Sequence, residues 1–285
     1  MHPYARHIQK FSTKLEPKPT DVTPVLPVQK GIKACIFDIY GTLFMSGCGD
    51  ISLVEGTNRD QILKEVLHTH QLSTQTTNLS DRFYNCIHKQ QEIRRSDGID
   101  YPEVEIRDVW KFFLKEIAIT NVGEEIIEHM AIDYECRVNP IWPMPSLQKT
   151  LETLRKKGIL LGIVSNAQFF TPHLFETFTG KTVLENGFEN DLCIYSYRLR
   201  IGKPSLRIYQ PLIEALEKRD IRPNEALFIG NDLRNDVWPA QEIGMRGVLF
   251  AGDKRSLRLR KDDPRATKQS ADAIITDLEQ IQELI

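Results

Sequence analysis

The chain has 285 residues, with 37 Lys and Arg set against 39 Asp and Glu for a formal net charge of −2. Hydrophobic residues make up 41% and charged residues 27%, the composition of a soluble globular protein long enough for two domains. So even a balance offers no field for nucleic acid or an acidic membrane, and no apolar run approaches the length of a membrane span.

The first thirty residues mix both signs of charge and place prolines at 3, 17, 19, 24 and 27. They lack the apolar core of a secretory signal, and Glu16 and Asp21 do not suit a mitochondrial transit peptide. The segment reads as an extended N-terminal arm over 1–30. Next comes Ala34-Cys35-Ile36-Phe37-Asp38-Ile39-Tyr40-Gly41-Thr42-Leu43-Phe44. The pattern predicts a buried strand over 32–38 that delivers Asp38 to its C-terminal tip, with Gly41 permitting a sharp turn beside a ligand and Thr42 adding a hydroxyl. A carboxylate presented in this way serves as a nucleophile, a metal ligand or both.

From 46 to 140 the pattern is helical, with apolar residues at helix spacing in 58–72, 81–95, 103–117 and 124–138. Trp110, Phe112 and Phe113 are assigned to the core of this bundle, and Arg94, Arg95 and Arg107 to solvated helix faces. After 140, strands and helices alternate: helix 146–157, strand 159–164, helix 172–178, strand 192–195, helix 205–218, strand 226–229, helix 235–243, strands 246–250 and 273–276, and a last helix over 278–285. Alternation of this kind predicts a doubly wound parallel sheet, an α/β Rossmann-like core, with the 46–140 helices inserted above its C-terminal edge. The division expected is an arm over 1–30, a core of 31–45 plus 141–285, and an α-helical cap over 46–140.

Five cysteines, at 35, 48, 86, 136 and 193, are scattered without a C-x-x-C pair, so neither a zinc site nor a disulfide framework is indicated and reduced thiols in a cytoplasm are expected. Cys35 reads as a small core hydrophobe. The seven histidines show no ligand spacing except His68-x-His70, whose members point to different faces of a helix. The segment 254–268 holds seven basic residues beside Asp253, Asp262 and Asp263 and reads as an exposed loop.

Four polar clusters stand behind apolar strands: Asp38, then Ser165-Asn166, then Lys203-Pro204, then Asn231-Asp232 with Asp236. Ligands of parallel sheets bind beyond the carboxyl ends of the strands, so these clusters are placed to converge. In this order they resemble the four motifs of the haloacid dehalogenase-like hydrolase superfamily, over about 32–250, and the 46–140 helices look like its helical cap. The resemblance implies a hydrolase, in first place a Mg2+-dependent phosphatase of a small phosphorylated metabolite working through an aspartyl-phosphate. It implies Asp38 as nucleophile and Lys203 as the balancing cation, and places Thr42, Ser165, Asn166 and Lys203 on the phosphoryl group. The ion would lie on Asp38, the carbonyl of Tyr40, Asp232 and Asp236.

Two departures from the family pattern stand out. Tyr40 occupies the place two residues after the nucleophile where phosphatases of the family carry an acidic proton donor, and a phenol is a poor acid at neutral pH. Gly230-Asn231-Asp232 stands where relatives read Gly-Asp-Ser or Gly-Asp-Asn. Asp38 followed by Tyr40 and Gly-Thr-Leu is also how 2-haloacid dehalogenases begin, which use the carboxylate without metal. The acidic cluster around Lys203 favours a cation and a phosphate over a haloacid. A low-turnover binding module is the third reading. A monomer or homodimer acting on a small molecule, with neither nucleic acid nor membrane as partner, completes the expectation.

Overall fold

In the computed structural model, which describes residues 1–47, 59–268 and 270–285, the chain opens with helix α1, Pro3–Phe11. Strand β1 is Ala34–Phe37 and β2 is Phe44–Ser46. Helices α2 (Arg59–Thr69), α3 (Leu79–Ser96), α4 (Ile106–Glu116) and α5 (Glu124–Val138) follow, and then β3, Ile141–Pro143. The second half continues with α6 (Leu147–Lys156), β4 (Leu160–Ser165), α7 (His173–Thr179), β5 (Phe188–Tyr195), α8 (Ser196–Leu199), α9 (Gln210–Glu217) and β6 (Ala226–Gly230). It ends with α10 (Trp238–Glu242), β7 (Arg246–Phe250), α11 (Pro264–Lys268), β8 (Ala273–Ile275) and α12 (Ile281–Leu284). Cys48 and Asn58, both part of the reading above, lie outside the described residues.

Six strands form one parallel sheet in the order β5-β4-β1-β6-β7-β8. The doubly wound α/β expectation holds. β1 is central and buried along its whole length, and its register pairs Phe37 with Ile163 on one side and Ile229 on the other. Cys35 sits there fully buried, and burial pushes its thiol up to about 12, as suits an inert core residue. Cys86, Cys136 and Cys193 are buried free thiols as well.

β2 and β3 form a short antiparallel ribbon that the sequence reading did not contain. It ties the two ends of the helical layer together, since the chain leaves the core after β2 and re-enters through β3. Three-residue strands are too short to leave a periodic signal. Inside the layer, Phe83, Trp110 and Phe113 pack ring against ring, with Phe83 and Trp110 centroids 4.9 Å apart. Phe112, expected in that core, is 44% exposed, because it falls one step round the helix from Phe113. The layer is pinned to the core by Gln168, which accepts from Ile106 N at 2.9 Å and donates to the Val104 carbonyl at 2.9 Å.

The arm expected to be extended over 1–30 instead begins as a helix. His2 caps it by accepting from Tyr4 N, Pro3 fits the first turn, and Ala5 and Ile8 are buried against α5 and α7. The remainder of the arm is extended and bound. Val25 exchanges two backbone hydrogen bonds with Ile274 of β8, and Thr20 Oγ1 donates to the Ala251 carbonyl at 2.7 Å. Among the described residues, no helix is long and apolar enough to cross a membrane.

Candidate active site

Asp38 stands directly after β1, its N–H donating to the Ile229 carbonyl at 2.9 Å, so the central strand carries its carboxyl to the C-terminal rim. Oδ1 accepts from Ser165 Oγ at 3.0 Å and from Lys203 Nζ at 2.7 Å. Oδ2 has no hydrogen-bond partner among the described residues. Lys203 also donates to Asp236 Oδ1 at 2.6 Å. One buried ammonium thus holds two buried carboxylates. Burial alone would lower the Lys203 pKa, but Asp236 and Asp38 outweigh it and raise it above the usual lysine value. Asp236 is raised above the ordinary carboxylate range, first by burial and then by Asp38 and Asp232, against the pull of Lys203.

Asn166 positions the lysine through the backbone: its Oδ1 accepts from Lys203 N at 2.7 Å and its Nδ2 donates to the Lys203 carbonyl at 3.3 Å. The loop after β6 makes a wide turn over Leu233–Val237, with the Asp236 and Val237 N–H groups both donating to the Asp232 carbonyl. That turn folds Asp236 back over Gly230, where a Cβ would lie 2.4 Å from the Asp236 side chain. A glycine is therefore required for Asp236 to reach the lysine.

A cavity of about 360 Å³ opens over this cluster. Asp38, Tyr40, Asn166, Lys203, Asp232 and Asp236 line it from the sheet side, as the strand-end reading expects. Thr42 and Ser165 do not line it. Both are fully buried, and their short hydroxyls are engaged below the floor with Asn231 Oδ1 at 3.2 Å and with Asp38. Tyr40 places its hydroxyl 2.9 Å from Thr171 Oγ1, and burial, with Glu135 nearby, raises its pKa well above the ordinary phenol value. It keeps its proton.

The expected ligand set of Asp38, Tyr40, Asp232 and Asp236 is not assembled as a close carboxylate trio. Asp232 Oδ1 caps the wide turn by accepting from Arg234 N and Asn235 N, and its Oδ2 takes Arg260 Nη2 at 2.7 Å. The Asp38, Asp232 and Asp236 carboxylates do not all lie within 4.8 Å of one another, whereas His7, His70 and Asp133 bring their donor atoms that close. Asp232 is instead paired with the Arg260 guanidinium.

Sequence reasoning missed four charged groups on the cavity wall. Glu103 and Glu135 come from the helical layer, and Arg258 and Arg260 from the segment read as an exposed loop. Burial raises the Glu103 carboxyl, which accepts from Ser196 Oγ at 3.0 Å. Burial likewise pushes Glu135 up to about 7, and Asn139 Nδ2 donates to it at 2.9 Å. The basic segment is not a free loop, for Ser256 within it and Asp253 just before it are buried, and the Ser256 carbonyl accepts from Asn231 Nδ2. Its only sequence signal was a run of arginines after a strand, which does not reveal their partners.

Residues 32–244 match the haloacid dehalogenase-like hydrolase family, and the chain belongs to it. The glyceraldehyde 3-phosphate phosphatase of Pyrococcus furiosus is 29% identical over 143 residues, covering 50% of this chain and 54% of that protein. The chain spans about half the length of the curated relatives it matches. The crystal structure of a HAD phosphatase from Thermococcus onnurineus superposes with a TM-score of 0.52 at 23% identity, covering 88% of this chain and 97% of that one. A 2-haloacid dehalogenase from Pseudomonas syringae gives 0.54 at 20% identity, covering 89% and 97%. These two likenesses show the fold.

Proposed function

We propose that this haloacid dehalogenase-like hydrolase is a phosphatase of small phosphorylated metabolites, with Asp38 as nucleophile. The observation that carries the reading is the shared ammonium. Lys203 fixes Asp38 through Oδ1, and Oδ2 has no hydrogen-bond partner among the described residues, the arrangement an attacking carboxylate needs. The phosphatase name of the Pyrococcus furiosus relative agrees with it. The cavity wall carries the carboxyls of Asp38, Glu103, Glu135, Asp232 and Asp236 beside the cations Lys203, Arg258 and Arg260, a formal excess of acid that a divalent cation would balance.

The donors present suit a hard divalent cation, because they are oxygens with more carboxylate than cation around them. Asp38, the Tyr40 carbonyl and Asp236 are the residues that would hold Mg2+, with Asp232 joining if Arg260 releases it. The bound ion supplies positive charge that brings a phosphate dianion to an acidic site. In the first step Asp38 Oδ2 bonds to phosphorus as the ester P–O bond breaks, and the leaving oxygen takes a proton. Tyr40 holds its proton too tightly to provide it. Glu135, on the wall contributed by α5, provides it instead and recovers one from the water that later cleaves the aspartyl-phosphate. Ser165 and Asn166 act by positioning Asp38 and Lys203.

Phosphate release from a panel of phosphomonoesters, with magnesium or with chelator, tests the reading. Turnover that appears with magnesium and disappears with chelator is expected. Chelator-insensitive turnover, or halide release from a 2-haloacid without metal, would overturn it. Glu135→Gln should slow the phosphorylation of Asp38 about 10²-fold with an alkyl phosphate and leave that step nearly unaffected with p-nitrophenyl phosphate, because a phenolate departs without a proton. An equal loss of that first step with both substrates would remove Glu135 as the proton donor.

A further inference from the structure

Away from the cavity, three residues distant in the chain meet where α1 crosses the helical layer. His7 comes from α1, His70 from the turn after α2, and Asp133 from α5. One donor atom from each lies within 4.8 Å of the other two. His7 Nε2, His70 Nε2 and Asp133 Oδ2 are all buried, and none has a hydrogen-bond partner among the described residues. His70 Nε2 and Asp133 Oδ2 stand 3.5 Å apart, within ion-pair distance but too far for a good hydrogen bond.

Three buried polar atoms that converge on one point without a good hydrogen bond are costly unless something occupies that point. We infer that His7, His70 and Asp133 form a binding site for a divalent transition-metal ion of the zinc class, which clasps α1 to the helical layer. Two imidazoles and one carboxylate are a borderline donor set suited to zinc rather than magnesium. Donors about 2.1 Å from a tetrahedral zinc lie about 3.4 Å from each other, close to the His70–Asp133 spacing.

The surroundings are those of an oriented ligand set. Arg137 Nε donates to Asp133 Oδ1 at 2.7 Å, fixing the carboxylate and leaving Oδ2 for the centre. His7 stacks on His129, with ring centroids 5.0 Å apart and planes 6° from parallel, which holds its ring in place. Tyr4 on the same helix reaches Glu128, one residue from His129, so α1 is docked in register with α5. No cysteine and no further carboxylate is needed, since a fourth position can be filled by water.

The test is zinc binding by the full-length, chelator-treated protein, followed by calorimetry in excess magnesium and by X-ray absorption at the zinc edge. One zinc per chain, with imidazole scattering in its spectrum, is expected. Among the described residues the wall of the cavity over Asp38 has no histidine, so an imidazole signature distinguishes the two sites. His7→Phe, which keeps an aromatic ring against His129, and His70→Gln should each abolish that zinc while leaving magnesium-dependent turnover in place. Zinc should also raise the melting temperature of the native chain, reversibly with chelator, and leave that of either variant unmoved. Absence of bound zinc, zinc without imidazole, or unchanged binding in both variants would overturn the proposal. So would a crystal structure with water at that point in the presence of zinc. Should one variant fail to fold, the other and the spectrum of the native protein still decide.

Discussion

Asp38→Asn is expected to lower phosphate release by about 10³-fold or more without disturbing the fold. Asparagine has the size of aspartate, and its oxygen can still accept from Ser165 and Lys203 where Oδ1 does now. What disappears is the negative charge at Oδ2, the atom that the surroundings leave unpartnered. Lys203 keeps its second carboxylate, Asp236, so no cation is left uncompensated in the core. Steady-state kinetics beside a circular-dichroism spectrum would read both halves of the expectation. Acid-quenched native protein should carry phosphate on Asp38, and the variant none. A variant that retains more than a few per cent of native turnover, with no phosphate trapped on the native protein, would remove Asp38 as nucleophile.

Lys203→Met should be costly in both activity and stability. The ammonium is 3% exposed and lies between carboxylates that are 8% and 3% exposed, so its removal leaves buried negative charge without a partner. Breaking a buried ion pair from one side typically destabilises by about 3–5 kcal/mol, because the charge left behind has lost both water and counter-ion. Urea denaturation should show a loss of that size. Adding Asp236→Asn to the same chain should recover a large part of it, since one of the two stranded charges is then gone. Turnover should stay absent in both variants. A Lys203→Met chain as stable as the native protein would mean that the cluster is not a charged network.

The two expectations differ in what they rely on. The first rests on a strand-end position that the sequence announces through an apolar run followed by Asp38 and Gly41. The second rests on a triangle of side chains that no local pattern contains. The helical layer shows the same division. Its four helices were legible because apolar residues recur at helix spacing over eleven or more residues. The β2–β3 ribbon was not, because each strand has only three residues. The helix at the N-terminus was hidden by prolines that suggest extended chain, although Pro3 sits where a helix tolerates it.

By itself, the sequence determined the parallel α/β core, the four strand-end clusters and the family they belong to. Hydrophobic period, strand-terminal carboxylates and glycine placement act over a few residues and survive as spacing. Tertiary structure decided how each polar group is partnered. It gave Asp232 to Arg260 rather than to a trio with Asp38 and Asp236, sent Glu135 to the cavity wall, and brought His7, His70 and Asp133 to one point. A buried charge or imidazole is governed by what lies within a few ångströms of it. Those neighbours come from segments whose separation along the chain carries no trace of their meeting.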